Sequence, residues 1–325
     1  MSRIAVDAMG GDNAPLEIVE GAILAKADGV DVVLVGDSEI LDPLLHSRGA
    51  DLPVVHASQV IDFDEDPGKA IREKKDSSIA VASRLVSKGD ADAVVSAGST
   101  GAVMASATFL IGRLRGVSRP GIASIYPTGH VILDVGANLE CRPEHLLQFA
   151  VMGAALAEVH LQKVDPTVGL INIGEEKVKG RALERETHEL MEASAAINFV
   201  GNVEGRDLAT EVADVMVTDG FTGNVLLKTS EGVGRAIRQI LMDTLAQPQY
   251  AEHIQPLMPA LMELREQLSP SAVGGAHLVG TKGVVVIAHG SSSRKAIRNA
   301  IEIASEGVDH GLVEKIAAGI EAADH

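Results

Sequence analysis

The chain has 325 residues, 46 % of them hydrophobic but only 2 % aromatic, so its core is built from Val, Ile, Leu, Ala and Met, the residues of a buried parallel sheet. A formal charge of −17 excludes general nucleic-acid binding, and a single cysteine, Cys141, excludes an internal disulfide or a multi-cysteine metal site, as in a reducing cytosol. The N-terminus enters a strand without a secretory apolar core and no apolar run reaches bilayer length, so a soluble intracellular protein is expected.

In chain order, Val/Ile-rich runs near 3–7, 31–36, 92–97, 121–125, 131–135, 168–173, 197–203, 213–218 and 283–289 read as strands. Helical spacing marks 15–27, 69–88, 100–113, 143–162, 181–195, 222–246, 250–268 and 293–323, the last broken around 307–311. This alternation predicts a mainly parallel α/β sheet with crossover helices, one unit over 1–325 without a linker.

The strand exits carry the polar residues: Asp7-Ala-Met-Gly-Gly-Asp-Asn, Ser96-Ala-Gly-Ser-Thr-Gly, Asp134-Val-Gly-Ala-Asn, Asn172-Ile-Gly-Glu-Glu, Gly201-Asn-Val-Glu-Gly, Thr218-Asp-Gly-Phe-Thr-Gly-Asn and His289-Gly-Ser-Ser-Ser. Strand ends of an open parallel sheet share one edge, so the exits are expected to line one cleft. The Gly98-Ser-Thr-Gly101 turn has hydroxyls and N–H groups at a helix start, which suits a small anion.

Standard motifs are excluded on their own chemistry. No glycine loop ends in the Gly-Lys-Ser/Thr of a P-loop, and Gly232-Val-Gly234 lacks the third glycine of a dinucleotide turn. Gly290-Ser-Ser-Ser-Arg is no nucleophile elbow, and HExxH zinc spacing is absent. Asp62, Asp64, Asp66 and Glu73 have calcium-loop spacing, but Pro67 occupies the position that needs glycine, so the run reads as an acidic helix start. Cys141 lies between Glu140 and Glu144, which disfavour a thiolate. No metal and no organic cofactor is expected.

Eight segments, AVDAMGGDNAP, EDPGKAIREKKDSS, SAGSTGAVM, LDVGAN, NIGEEKVKG, NFVGNVEGRD, VADVMVTDGFTGNVLLKTSEG and GVVVIAHGSS, resemble in order the signature segments of the bacterial phosphate acyltransferases, the PlsX family, from residue 3 to about 305. The resemblance implies transfer of a fatty acyl group from acyl carrier protein to inorganic phosphate, giving acyl phosphate for phospholipid synthesis by a downstream membrane glycerol-3-phosphate acyltransferase. It also implies a homodimer with a three-layer αβα fold similar to phosphotransacetylase and to the isocitrate and isopropylmalate dehydrogenases. Ser99 stands where the family often has Asn, 271–275 lacks a common tyrosine, and the 127–131 segment is short.

On that reading Gly98, Ser99, Thr100 and Gly101 hold phosphate with Lys179, and Ser291 and Ser292 add hydroxyls. Asn224, Lys228, His289 and the two serines are the candidate donors to the oxyanion, with His289 placed to protonate the leaving thiolate and Asp219 to orient a donor or cap a helix. Acyl carrier protein is acidic, so Arg113, Arg115 and Arg119 are its expected dock, with Lys177, Lys179 and Arg181 as the rival patch. Leu257, Leu261, Leu264 and Leu268 share a helical face for core or dimer packing, to which the resemblance adds peripheral membrane contact. A coenzyme A phosphotransacetylase, a dehydrogenase on the same fold and a non-catalytic carrier-protein or lipid-binding scaffold remain as alternatives.

Overall fold

A computed structural model describes residues 2–267 and 274–323. Its strands are β1 (Arg3–Asp7), β2 (Asp31–Gly36), β3 (Val54–His56), β4 (Ala93–Ser96), β5 (Gly121–Tyr126), β6 (His130–Leu133), β7 (Thr167–Asn172), β8 (Asn198–Glu204), β9 (Val215–Val217), β10 (Ala276–Val279) and β11 (Val284–Ile287). The helices are α1 (Leu16–Ala27), α2 (Ser38–Arg48), α3 (Pro67–Glu73), α4 (Ser78–Lys88), α5 (Thr100–Ser106), α6 (Pro143–His160), α7 (Ala182–Ala193), α8 (Gly220–Leu245), α9 (Ala251–Gln267), α10 (Arg294–Asp309) and α11 (Leu312–Ala323).

The strands form one mixed sheet in the order β3-β2-β1-β4-β11-β10-β5-β6-β9-β7-β8. Helices cover both faces, giving three layers. One face carries a core that runs the width of the sheet, from Ala5 and Val94 through Ile122 and Ile132 to Met216 and Val203, beneath α3, α4 and α5. The other face has two cores, one beneath α1, α2 and α10 and one beneath α6 and α11. The spacing of Ala296, Ile297, Ala300, Ile301 and Ala304 gives α10 one apolar face, which packs on the sheet and on α1. Gly21 permits that approach, because a Cβ there would lie 2.6 Å from Ile297.

Strand direction corrects the expected single edge. β3, β2, β1, β4, β11 and β5 run one way, whereas β6, β9, β7 and β8 run the other, and antiparallel pairings of β10 with β11 and β5, and of β5 with β6, make the seam. The exits of β1, β4 and β11 therefore stand on one edge and those of β6, β7 and β9 on the opposite one. From β4 to β9 is five steps in the strand order, about 24 Å at about 4.8 Å per strand. At a twist of about 20–25° per step, strand axes turn by about 100–125° between β4 and β9.

Other expectations shift locally. The 69–88 helix is two, because after Glu73 the chain turns and Ser77 bridges to Gln59 before α4 begins. The 100–113 helix is α5 followed by one π-helical turn, Ala107–Ile111. Gly201 lies inside β8, so the exit of that strand is Glu204-Gly205. α2, β3 and β10 were not expected; Pro43 inside α2 and the shortness of the two strands hide their periodicity. The expected break in the last helix falls where α10 ends, with Gly311 at φ +67°.

Candidate functional site

On the edge formed by β1, β4 and β11, the three exits pack against one another. The Asp12 N–H donates to the Gly290 carbonyl at 2.8 Å, and a Cβ on Gly10 would fall 2.9 Å from the Gly98 nitrogen. Behind them Asp7 is fully buried and accepts from Ser96 Oγ at 2.7 Å, and burial pushes its carboxyl above the usual range. Gly98 donates its N–H inward to Ser96 Oγ at 3.1 Å, so this N–H does not face a ligand, a correction to its expected role. Thr100 and Gly101 form the first turn of α5, where N–H groups have no intrahelical acceptor.

His289 is exposed at the same edge. Its Nδ1 accepts the Ser291 N–H at 3.2 Å and lies 2.8 Å from Ser291 Oγ. A ring nitrogen that accepts an N–H carries no proton, which assigns the neutral ring's proton to Nε2, a donor on the outer side. Ser292 is buried and its N–H returns to the His289 carbonyl at 2.9 Å.

The opposite edge is built around two carboxylates. Asp134, at the exit of β6, is fully buried and accepts from the N–H groups of Ile122, Gly136, Ala137 and Asn138 and from Asn138 Nδ2, at 2.7–3.1 Å. Desolvation still raises its carboxyl above the ordinary range. Asp219, at the exit of β9, caps α8 by accepting from the Thr222 N–H at 2.8 Å and binds Arg181 Nη2 at 2.6 Å. The first turn of α8 lies directly on the Asp134–Asn138 loop: a Cβ on Gly223 would stand 1.9 Å from the Asp134 carbonyl oxygen, and one on Gly220 2.7 Å from that of Asn138. Both glycines of Asp219-Gly-Phe-Thr-Gly-Asn224 are thus fixed by contact.

Cations rim this edge. Arg181 pairs with Glu184 as well as Asp219, while Lys179 is held only loosely by Glu176, at 4.0 Å. Arg119 makes no ion pair among the described residues, and its charge acts on Cys141 and, with Arg142, helps burial hold His145 below the usual histidine range. The Cys141 thiol is pushed up to about 11, first by burial and then by Asp134 and Asp219. It is no thiolate near neutral pH.

The family model described as "Fatty acid synthesis protein" matches residues 2–315. Phosphate acyltransferase of Desulforamulus reducens is 47 % identical over 99 % of this chain and 98 % of its own length. That of Nostoc punctiforme is 46 % identical over 97 % and 95 %. This chain belongs to the phosphate acyltransferase family. Its fold is that of a phosphotransacetylase from Streptococcus pyogenes, with a TM-score of 0.63 at 18 % identity over 95 % of this chain and 94 % of the other. A branched-chain phosphotransacylase from Enterococcus faecalis gives 0.59 at 18 % over 95 % and 99 %.

In this phosphate acyltransferase family member, an enzyme of acyl transfer to phosphate, the expected site residues divide into two groups. Gly98, Ser99, Thr100, Gly101, His289, Ser291 and Ser292 gather on the first edge. Lys179, Asp219, Asn224 and Lys228 belong to the second, where Lys228 pairs with Glu231 at 3.1 Å. No hydrogen bond or ion pair joins the groups among the described residues, and Lys179 has Glu176 as its ion-pair neighbour, at 4.0 Å. Arg113, Arg115 and Arg119 are exposed between the π-helical turn and β5. Leu257 is exposed and Leu261 half-buried on α9, whereas the Leu264 side chain, Leu268 and residues 268–273 lie outside the described residues. No helix among the described residues is long and apolar enough to cross a membrane. Sequence reasoning missed the bracing by Asp134, Asn138 and Glu184; the signal for it was the pair of glycines three apart after β9, which requires a second backbone in contact.

Proposed function

We propose that this enzyme transfers a fatty acyl group from the thioester of acyl carrier protein to inorganic phosphate, forming acyl phosphate and free carrier protein for phospholipid synthesis. One observation carries the reading: among the described residues, neither the two carboxylates nor the thiol of the second edge is free to attack an acyl group. Asp134 and Asp219 are both saturated by N–H groups or Arg181, and the Cys141 thiol is pushed up to about 11. The attacking oxygen then comes from phosphate itself, which is substantially dianionic near neutral pH and requires positioning more than a strong base.

In this scheme Thr100, Gly101 and Lys179 hold the phosphate, with the Ser99, Ser291 and Ser292 hydroxyls around it. A phosphate oxygen adds to the thioester carbonyl. The oxyanion takes hydrogen bonds from Asn224 and the Lys228 ammonium, and collapse expels the thiolate, which His289 Nε2–H protonates. Arg113, Arg115 and Arg119 offer the acidic carrier a cationic approach. The exposed apolar side chains of α8 and α9, Ile237, Ile240 and Leu257 among them, serve a second copy or a membrane surface.

Phosphate-dependent release of free thiol from acyl carrier protein thioester tests the reading, with acyl coenzyme A in a parallel arm. Release from the carrier thioester that stops when phosphate is omitted supports it. A strong preference for acyl coenzyme A makes the enzyme a phosphotransacetylase, and release without phosphate points to hydrolysis.

A further inference from the structure

The exits of β1, β4 and β11 meet around one carboxyl group. Asp7, the last residue of β1, is 2 % exposed, and its Oδ2 accepts the hydroxyl of Ser96, the last residue of β4, at 2.7 Å. Its Oδ1 accepts the Met9 N–H at 3.3 Å, and hydrogen bonds from the Ser78 hydroxyl, at the start of α4, and the Gly10 N–H add to these. A Cβ on Gly10 would fall 2.6 Å from Asp7 Oδ2 and 2.9 Å from the Gly98 nitrogen, and one on Gly11 would fall 3.2 Å from the carbonyl oxygens of both Ala97 and Gly290. The carboxyl therefore lies directly behind the junction from which the Gly98–Gly101 and His289–Ser292 turns depart.

A buried charge is costly unless it is paired, and other carboxylates of the sheet ends have their cations: Asp219 has Arg181 at 2.6 Å and Asp214 has Lys163 at 2.8 Å. Asp7 forms no ion pair among the described residues, so only hydrogen bonds offset its burial. A buried group held at such a cost beside a cleft points to a role in the cleft. The direction of its hydrogen bonds gives that role. A carboxylate only accepts, so the Ser96 hydrogen points to Asp7 and a lone pair on Ser96 Oγ is left for the Gly98 N–H, at 3.1 Å. That inward bond sets the path of the backbone into Ser99, Thr100 and Gly101.

We infer that Asp7 is a positioning residue for phosphate: through Ser96 it fixes the Gly98 N–H inward and with it the turn that carries Ser99 and Thr100, and through the Gly10–Asp12 backbone it keeps that turn against Gly290, between His289 and Ser291. It touches neither phosphate nor the thioester. This rests on the proposed reaction, in which the two turns hold phosphate together. An amide at position 7 offers Ser96 a donor in place of an acceptor, and alanine at position 96 leaves the Gly98 N–H without its partner. A displaced turn binds phosphate less tightly in ground state and transition state alike, so the loss falls on KM.

Steady-state kinetics with phosphate as the varied substrate test this on Asp7→Asn, Ser96→Ala and the double variant. Each single change should raise the phosphate KM about tenfold, the worth of one hydrogen bond, and leave kcat and the KM for acyl carrier thioester within about twofold of wild type. Both act through one relay, so the double variant should stay within about twofold of the worse single; losses that multiply toward about 100-fold overturn the inference. An unchanged phosphate KM in Asp7→Asn overturns it too. Ser83→Ala controls for general loosening, because it breaks a buried hydroxyl pair with Ser106, at 3.1 Å, that takes no part in the relay. It should lower the urea midpoint without moving the phosphate KM, and a KM rise equal to that of Asp7→Asn makes Asp7 merely structural and overturns the inference. Where Asp7→Asn fails to fold, Ser96→Ala, which keeps the carboxylate, carries the same test alone. Thiol release by the wild type that does not require phosphate sinks the proposed reaction and this inference with it, whereas phosphate-dependent release with an unmoved KM in the variants overturns the inference only.

Discussion

Arg181 and Asp219 meet at 2.6 Å, and their bond ties the exit of β7 to the exit of β9 and the start of α8. Asp219 is only 3 % exposed and accepts from this guanidinium and from the Thr222 N–H and hydroxyl. Arg181→Met therefore leaves a nearly buried carboxylate short of a partner, with an expected loss of about 1–3 kcal/mol by denaturant titration and a fall in kcat. Asp219→Asn in the Arg181→Met background restores part of the stability, because the amide needs no cation.

The contact between α8 and the Asp134–Asn138 loop gives a matched pair of glycine substitutions. Gly223→Ala forces a Cβ to within 1.9 Å of the Asp134 carbonyl oxygen and has to displace the helix start, so it lowers stability by about 1–3 kcal/mol and moves Asn224. Gly232→Ala meets nothing within 4 Å inside the same helix and raises stability by about 0.5–1 kcal/mol. Urea midpoints of the two variants moving in opposite directions would bear this out.

The His289 tautomer sets up a kinetic contrast. His289→Ala removes the outer donor and should lower kcat about 100-fold, since a thiolate leaves readily and demands little protonation. Ser291→Ala keeps the backbone N–H that fixes Nδ1 and loses only the hydroxyl, so the expected fall is within about tenfold. Single-turnover rates on acyl carrier thioester compare the two.

Acid sensitivity is expected from His277, which is 1 % exposed with neither ring nitrogen hydrogen-bonded among the described residues. Burial, and then His160 with its ring centroid 4.6 Å away, holds His277 well below the ordinary histidine range. His160 is itself lowered by burial, against its bond to Glu306 and with His310 adding to the lowering. A lowered base binds its proton more readily in the unfolded chain, so stability is complete above about pH 6.5 and is lost on acidification toward the folded value, by up to about 1.4 kcal/mol per pH unit. Asp7 and Asp134, raised by burial, act in the opposite sense. The difference between wild type and His277→Phe isolates the histidine: thermal midpoints from pH 7.5 to 5 should fall more steeply in the wild type.

For the carrier dock, Arg113→Glu with Arg115→Glu should lower kcat/KM for acyl carrier thioester about tenfold at low salt, with the deficit shrinking as salt is added. Activity on acyl coenzyme A, which needs no protein dock, should stay unchanged; an equal loss on both substrates places the arginines elsewhere.

The alternation of strands and helices was legible because buried strands read as Val/Ile runs and α10 keeps strict helical spacing. Strand direction was not, since a run such as His130–Leu133 looks the same in either sense; the short return from Tyr126 through Gly129 is what reverses it. The polar exits were found by composition, but their division between two edges depends on that one hairpin and on β10. Lys179 and the Gly98–Gly101 turn were grouped by chemistry alone, and spacing in sequence carries no information about a pairing of β4 with β11 that spans most of the chain.

β11 and β10 sit between β4 and β5, so the strands that join the chain's beginning to its middle come after all the others in sequence. During synthesis β1, β2 and β4 can associate early, yet β4 keeps one open flank until residues 284–287 emerge from the ribosome. A nascent chain of this enzyme thus carries an unprotected flank for most of its translation, and premature termination before residue 276 leaves two half-sheets with no strand to weld them.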